Sequence, residues 1–142
     1  ATQDWHPPDH ASFAVNHPGK KVGDIIRVKD LDQILWPVHC VRQTQGAELV
    51  EGLNKAQIAS VFFKGTDRWI DSYSAFFDHV KQRSTGLAEY LHAQKLNRLY
   101  FAGLATDYCV LYSEWRNSTC RCTSCCPCRG NPASGCRSCT NR

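Results

Sequence analysis

The chain has 142 residues, with 17 Lys and Arg against 13 Asp and Glu, six His and nine Cys, for a formal net charge of +4. That length supports one domain, and no apolar run reaches the roughly 20 residues that a membrane-spanning helix needs, so no membrane partner is expected. Residues 1–117 carry 13 basic and 13 acidic side chains, so the whole excess lies in the four arginines beyond them, and nucleic acid is not expected as a partner.

The first segment, Thr2-Gln3-Asp4-Trp5-His6-Pro7-Pro8-Asp9-His10, holds a carboxylate and an imidazole one residue apart. In extended backbone, positions two apart project to the same side, so Asp4 and His6 can share one cation. A third ligand could come from His39 in Leu35-Trp36-Pro37-Val38-His39-Cys40. Such ligands with open positions suit zinc, iron or manganese, although D-x-H alone is more often a solvated loop. Pro18-Gly19 and the charged run from Lys20 to Asp32 read as surface, and residues 46–56 as a loop with a short helix. Gln57 to Lys64 reads as a strand ending in a lysine, which usually marks an exit to solvent. Ser84 to Lys95 reads as an amphipathic helix with Leu87, Tyr90 and Leu91 on one face.

Arg98 to Gly103 is the next expected strand, and Tyr108 to Trp115 carries apolar residues at helical spacing. The period switches at Thr106 and Asp107, both good N-cap residues, which would set Cys109 in the first helical turn. Unpaired N–H groups and the helix dipole there favour a thiolate, whereas a lone cysteine is more often one more buried thiol. Strand, helix, strand, helix implies right-handed crossovers and a parallel sheet, with Lys64 and Cys109 both at carboxyl ends of strands.

Taken in order, T-Q-D-W-H-P, W-P-x-H-C-V, F-K-G with D-S-Y-S-A-F-F, and G-L-A-T-D-Y-C-V resemble the cysteine hydrolases of the isochorismatase-like fold. Within them the likeness is to the nicotinamidases, also called pyrazinamidases, and it spans about Ala1 to Asn117. The resemblance implies an α/β, Rossmann-like fold of three layers, a mostly parallel sheet with flanking helices. It implies Cys109 as nucleophile, Lys64 as the active-site lysine, and Asp4, His6 and His39 as ligands of one divalent ion, zinc first, with iron or manganese as alternatives. The role of His10 stays open. Trp36 and Tyr73 match aromatic walls for a pyridine ring, and the N–H groups of Ala105 and Cys109 match an oxyanion hole beside a cis peptide at Leu104-Ala105. The implied reaction is hydrolysis of nicotinamide to nicotinate and ammonia through a cysteine thioester. The alternatives are another cysteine hydrolase of this fold, or an inactive fragment with a zinc-binding tail. With only Cys40 and Cys109 before the tail, no disulfide framework is expected and a reducing cytoplasm fits best. Self-association into a homo-oligomer is left open.

Two departures from the family pattern are expected to leave the fold incomplete at both ends. The family's catalytic aspartate lies in a strand of the form V-D-x-Q-N-D-F ahead of T-Q-D-W-H, and this sequence does not contain that motif. Residues 118–142, set apart from the hydrolase domain of residues 1–117, hold seven of the nine cysteines and no Ile, Leu, Val, Phe, Tyr or Trp. A four-thiolate zinc module could use Cys122 and Cys125, or Cys125 and Cys128, with Cys136 and Cys139. A disordered basic arm and a shifted reading frame in GC-rich coding sequence are the other readings. The frame shift is preferred because the composition breaks inside a helix that the family continues.

Overall fold

The computed structural model describes residues 1–115; the tail, with Cys122, Cys125, Cys128, Cys136 and Cys139, lies outside the described residues. Strand β1 (Thr2–Asp4) pairs parallel with a strand 60 positions on, Phe62–Lys64, so that Thr2 faces Phe62, Gln3 faces Phe63 and Asp4 faces Lys64. The backbone continues the pairing at both ends. The Ala1 ammonium donates to Ser60 O at 2.7 Å, and Trp5 N–H donates to Lys64 O at 2.9 Å.

The run from Lys20 to Asp32 is largely exposed, as expected of surface, but residues 25–34 carry regular structure that the sequence pattern did not announce. They form an antiparallel hairpin of β2 (Ile25–Val28) and β3 (Leu31–Ile34), which makes Phe62–Lys64 strand β4. Lys29 and Asp30 close it with φ of 46° and 65°, the left-handed pair that matches the twist of a two-residue hairpin.

The strand expected from Gln57 is also shorter than expected. Lys55–Gln57 is a 3-10 turn, and the ladder begins only at Phe62, where β1 supplies a partner. The helix expected over 84–95 is α1 (Leu87–Ala93). Its first three expected residues form a turn in which the Ser84 hydroxyl takes the Gly86 N–H at 3.0 Å and the Thr85 hydroxyl takes the Leu87 N–H at 3.2 Å. Short hydroxyl side chains compete in this way with helical backbone bonding.

The core cluster lies where α1 meets the strap of residues 71–78. Leu91 packs with Ala75 and Phe76, and Leu87, Tyr90, Leu99 and Phe101 close around them. Leu99 and Phe101 are thus held by packing, but residues 98–103, expected as a strand, form no ladder among the described residues, where no strand lies beside them. The chain then enters a π turn at Thr106–Val110 that runs directly into α2 (Leu111–Trp115). The fold class is α/β, as the sequence predicts. Among the described residues no helix is long and apolar enough to cross a membrane.

Candidate functional site

The register of β1 and β4 sets Asp4 beside Lys64, and their side chains form an ion pair. Lys64 is only 5% exposed. Its Nζ also donates to Ser72 O at 2.8 Å and lies 3.4 Å from Cys109 Sγ. Burial alone pulls the lysine's pKa down, but Asp4, the Cys109 sulfur and Asp71 push it up by more, and the net direction is upward. The group facing the thiol is therefore an ammonium at neutral pH.

Cys109 lies in the π turn, and the cap differs from the expected one. The N-cap is Ala105 in extended backbone, with no side-chain capping bond, while Thr106 and Asp107 sit inside the turn. The physical reason is that Tyr108 and Val110 both donate their N–H to Ala105 O, at 3.2 and 3.1 Å. That carbonyl starts the turn one residue before the expected caps. The Leu104-Ala105 peptide is cis, as the resemblance implies, and Ala105 and Cys109 share this one turn.

Three imidazoles converge below the pair. His6, 1% exposed, donates from Nδ1 to Gly65 O at 2.8 Å, and His39 from Nδ1 to Pro37 O at 2.7 Å. Carbonyls only accept, so each ring in its neutral form presents a lone pair at Nε2. His6 Nε2 is 3.8 Å from Asp4 Oδ1, and the His6 and His39 ring centroids are 4.9 Å apart. His10 is wired the other way, since its Nδ1 accepts the Ser12 N–H at 3.2 Å beside the Ser12 hydroxyl at 2.7 Å. Its Nε2 is buried without a hydrogen-bond partner. The ligand atoms of His6, His10 and Asp71 lie within 4.8 Å of one another. The Nε2 lone pairs of His6 and His39, with the Asp4 carboxylate 3.8 Å from His6 Nε2, form a donor set that fits a divalent cation, whereas His10 in this tautomer has its proton at Nε2 and does not ligate.

Burial pushes His6 below the usual histidine range, with Asp4 and Asp71 opposing it, and pushes His10 down to about 4, with His6 adding to the effect. Both rings are thus held neutral, and for His6 that is the form that ligates metal. With the folded value near 4 and the unfolded one near 6.5, the unfolded chain binds the His10 proton first as pH falls. This contribution to stability is complete above about 6.5 and is lost progressively toward about 4. Urea denaturation of the metal-free chain across that window should show the loss, and a His10→Asn variant should show a flatter slope.

The expected aromatic walls also come together. Trp36 Nε1 donates to Tyr73 Oη at 3.2 Å, and burial lifts the Tyr73 phenol to about 12, so it stays neutral. Sequence reasoning passed over Tyr108, whose ring centroid is 5.0 Å from Trp36 and 5.4 Å from Tyr73. Its position next to Cys109 was the available signal. It also assigned no role to Asp71, which is 5% exposed and close to His6 and His10; an aspartate opening the D-S-Y-S run beside so many small residues was the hint.

An α/β framework here brings a lysine-contacted thiol, an imidazole cluster and an aromatic wall together, with the cysteine in the turn that opens α2. The Isochorismatase domain matches residues 13–118, and the chain belongs to that family. It is 47% identical over 112 residues to a nicotinamidase of Acinetobacter baylyi, covering 79% of this chain and 52% of that protein. Among solved structures, the nicotinamidase and pyrazinamidase of Acinetobacter baumanii superposes with a TM-score of 0.75 at 43% identity, over 79% of this chain and 54% of that one. The pyrazinamidase of Pyrococcus horikoshii in complex with zinc gives a TM-score of 0.59 at 32% identity, over 82% and 52%. The chain spans about half the length of the curated relatives it matches.

Proposed function

We propose that this chain carries the site of a nicotinamide amidohydrolase, with Cys109 as nucleophile. The observation that carries the reading is the Lys64 ammonium 3.4 Å from Cys109 Sγ, within a chain 47% identical to a nicotinamidase. Cys109 attacks the carboxamide carbon, and the N–H groups of Ala105 and Cys109 receive the developing oxyanion. The C–N bond then breaks, ammonia leaves with the proton that the thiol gave up, and water opens the thioester to release nicotinate. Trp36, Tyr73 and Tyr108 hold the pyridine ring by its faces and edges and keep it against the thiol. Proton transfer belongs, by the resemblance, to an aspartate of a V-D-x-Q-N-D-F strand.

Asp4, His6 and His39 are the proposed metal ligands. The lone pairs at Nε2 of His6 and His39 support this set, whereas His10, whose Nδ1 accepts from Ser12, carries its proton at Nε2 and acts beside the ligands. A zinc ion bound there would supply an open coordination position that orients the pyridine nitrogen. Free thiols at Cys40 and Cys109 support a reducing cytoplasm as the location. Residues 1–117 form the proposed domain.

The test is ammonia release from nicotinamide by the zinc-, iron- or manganese-supplemented chain, against a Cys109→Ala control. Release that vanishes in the control supports the reading; a folded, metal-loaded chain that releases none overturns it for this chain. Independently of turnover, zinc should raise the melting temperature in a concentration-dependent manner, and His39→Ala should abolish most of that rise.

A further inference from the structure

We propose that Ser113 is a positioning residue, whose hydroxyl fixes the Cys109 sulfur against Lys64 by tying the π turn to the strap of residues 71–78. The inference rests on Cys109 being the nucleophile. Ser113 sits in α2 and is 3% exposed. Its hydroxyl donates to Cys109 O at 2.5 Å and accepts the Ala75 N–H at 2.8 Å. One hydroxyl has one hydrogen and two lone pairs, so it can make both bonds at once.

These bonds close a circuit that begins and ends on Cys109. From the Cys109 carbonyl it runs through the Ser113 hydroxyl to the Ala75 backbone, and along the strap to Ser72. There the carbonyl takes a hydrogen bond from Lys64 Nζ at 2.8 Å, and the same Nζ lies 3.4 Å from Cys109 Sγ. The strap is itself braced, since the Ser72 hydroxyl donates to Phe77 O at 2.9 Å and the Thr85 hydroxyl to Ala75 O at 2.7 Å. Lys64 is thus referenced to the strap by Ser72, and Cys109 is referenced to the strap by Ser113. Removing the hydroxyl leaves the Ala75 N–H without its partner and frees the turn to move relative to the ammonium.

The test is the rate at which iodoacetamide alkylates Cys109 in the full chain, followed by mass spectrometry of its own peptide. Cys40, whose carbonyl is held by His6 N–H at 3.0 Å, serves as the reference thiol in the same sample. Ser113→Ala should slow Cys109 about tenfold relative to Cys40, the scale of one lost buried hydrogen bond, and Ser113→Thr should restore the ratio, since a helical threonine hydroxyl can reach the same carbonyl. An Ala variant with an unchanged ratio, or a Thr variant as slow as Ala, overturns the proposal. If Ala loosens the fold, both thiols speed up together. The comparison then passes to Ser113→Thr against Ser113→Val, which share a shape and differ by one hydroxyl, and equal ratios in that pair overturn it. Alkylation needs no turnover, so a failure to hydrolyse nicotinamide and a failure of this proposal are separate results.

Discussion

Replacing Lys64 with methionine should destabilise the chain by about 3–5 kcal/mol, the usual consequence of removing one partner from a buried ion pair. The lysine is 5% exposed and Asp4 18%, so methionine fills the channel of the aliphatic stem but leaves the carboxylate facing a neutral group. It also removes the donor to Ser72 O. Urea denaturation of wild type and Lys64→Met, with Asp4→Asn and the double variant completing the cycle, measures the loss. The double variant should recover a large part of it, because two neutral groups face each other again. A single-variant loss below about 1 kcal/mol would place the pair with surface ion pairs and overturn this account. Alkylation of Cys109 should slow in the same variant, as the ammonium 3.4 Å from its sulfur is gone.

Gly65→Ala should nearly abolish metal binding while damaging stability less than Lys64→Met. Gly65 has φ of +63°, where an alanine is strained by about 1 kcal/mol. The larger effect is steric: an added Cβ would clash with His6 Cε1 and lie 2.6 Å from His6 Nδ1. The ring must swing away, and with it goes the Nδ1 bond to Gly65 O that orients Nε2. Losing an orienting partner of a ligating imidazole costs roughly 10–100-fold in metal affinity, and displacing the ring itself should exceed that range. Zinc titration by calorimetry reads the result. Affinity within threefold of wild type would mean that His6 does not ligate.

The parts of the site legible in the sequence were those written as short motifs with a chemical reason for their spacing. D-x-H carried Asp4 and His6, the strand ending in lysine carried Lys64, and the switch of period before Tyr108 carried Cys109. The convergence of His6 with His10 and Asp71 was not legible, because it depends on the turn from Pro7 to His10 and on the route of the strap after Gly65. The hairpin was missed for a different reason. Its turn is Lys29-Asp30, with no glycine or asparagine to announce two left-handed residues, and Ile25 is 64% exposed, so one face shows solvent the residue type expected inside. Strand and helix limits were overstated at Gln57 and Ser84 because propensity says nothing about where a partner strand begins or where a hydroxyl captures an N–H.

The three-pair ladder of β1 and β4 is also a gauge of correct assembly. Side chains alternate faces along a strand, so a slip of one residue would set Lys64 opposite Gln3 and turn it to the other face of the sheet. Its contacts to Asp4, Ser72 and Cys109 would all be lost at once. The charge pairing therefore works as a key for the alignment of two segments distant in sequence: a misaligned chain is not a weaker version of the site, because it has none. Any population of such chains would show up as a reduced fraction of competent molecules, each with the full reactivity at Cys109, and active-site titration would tell that apart from a uniform decline.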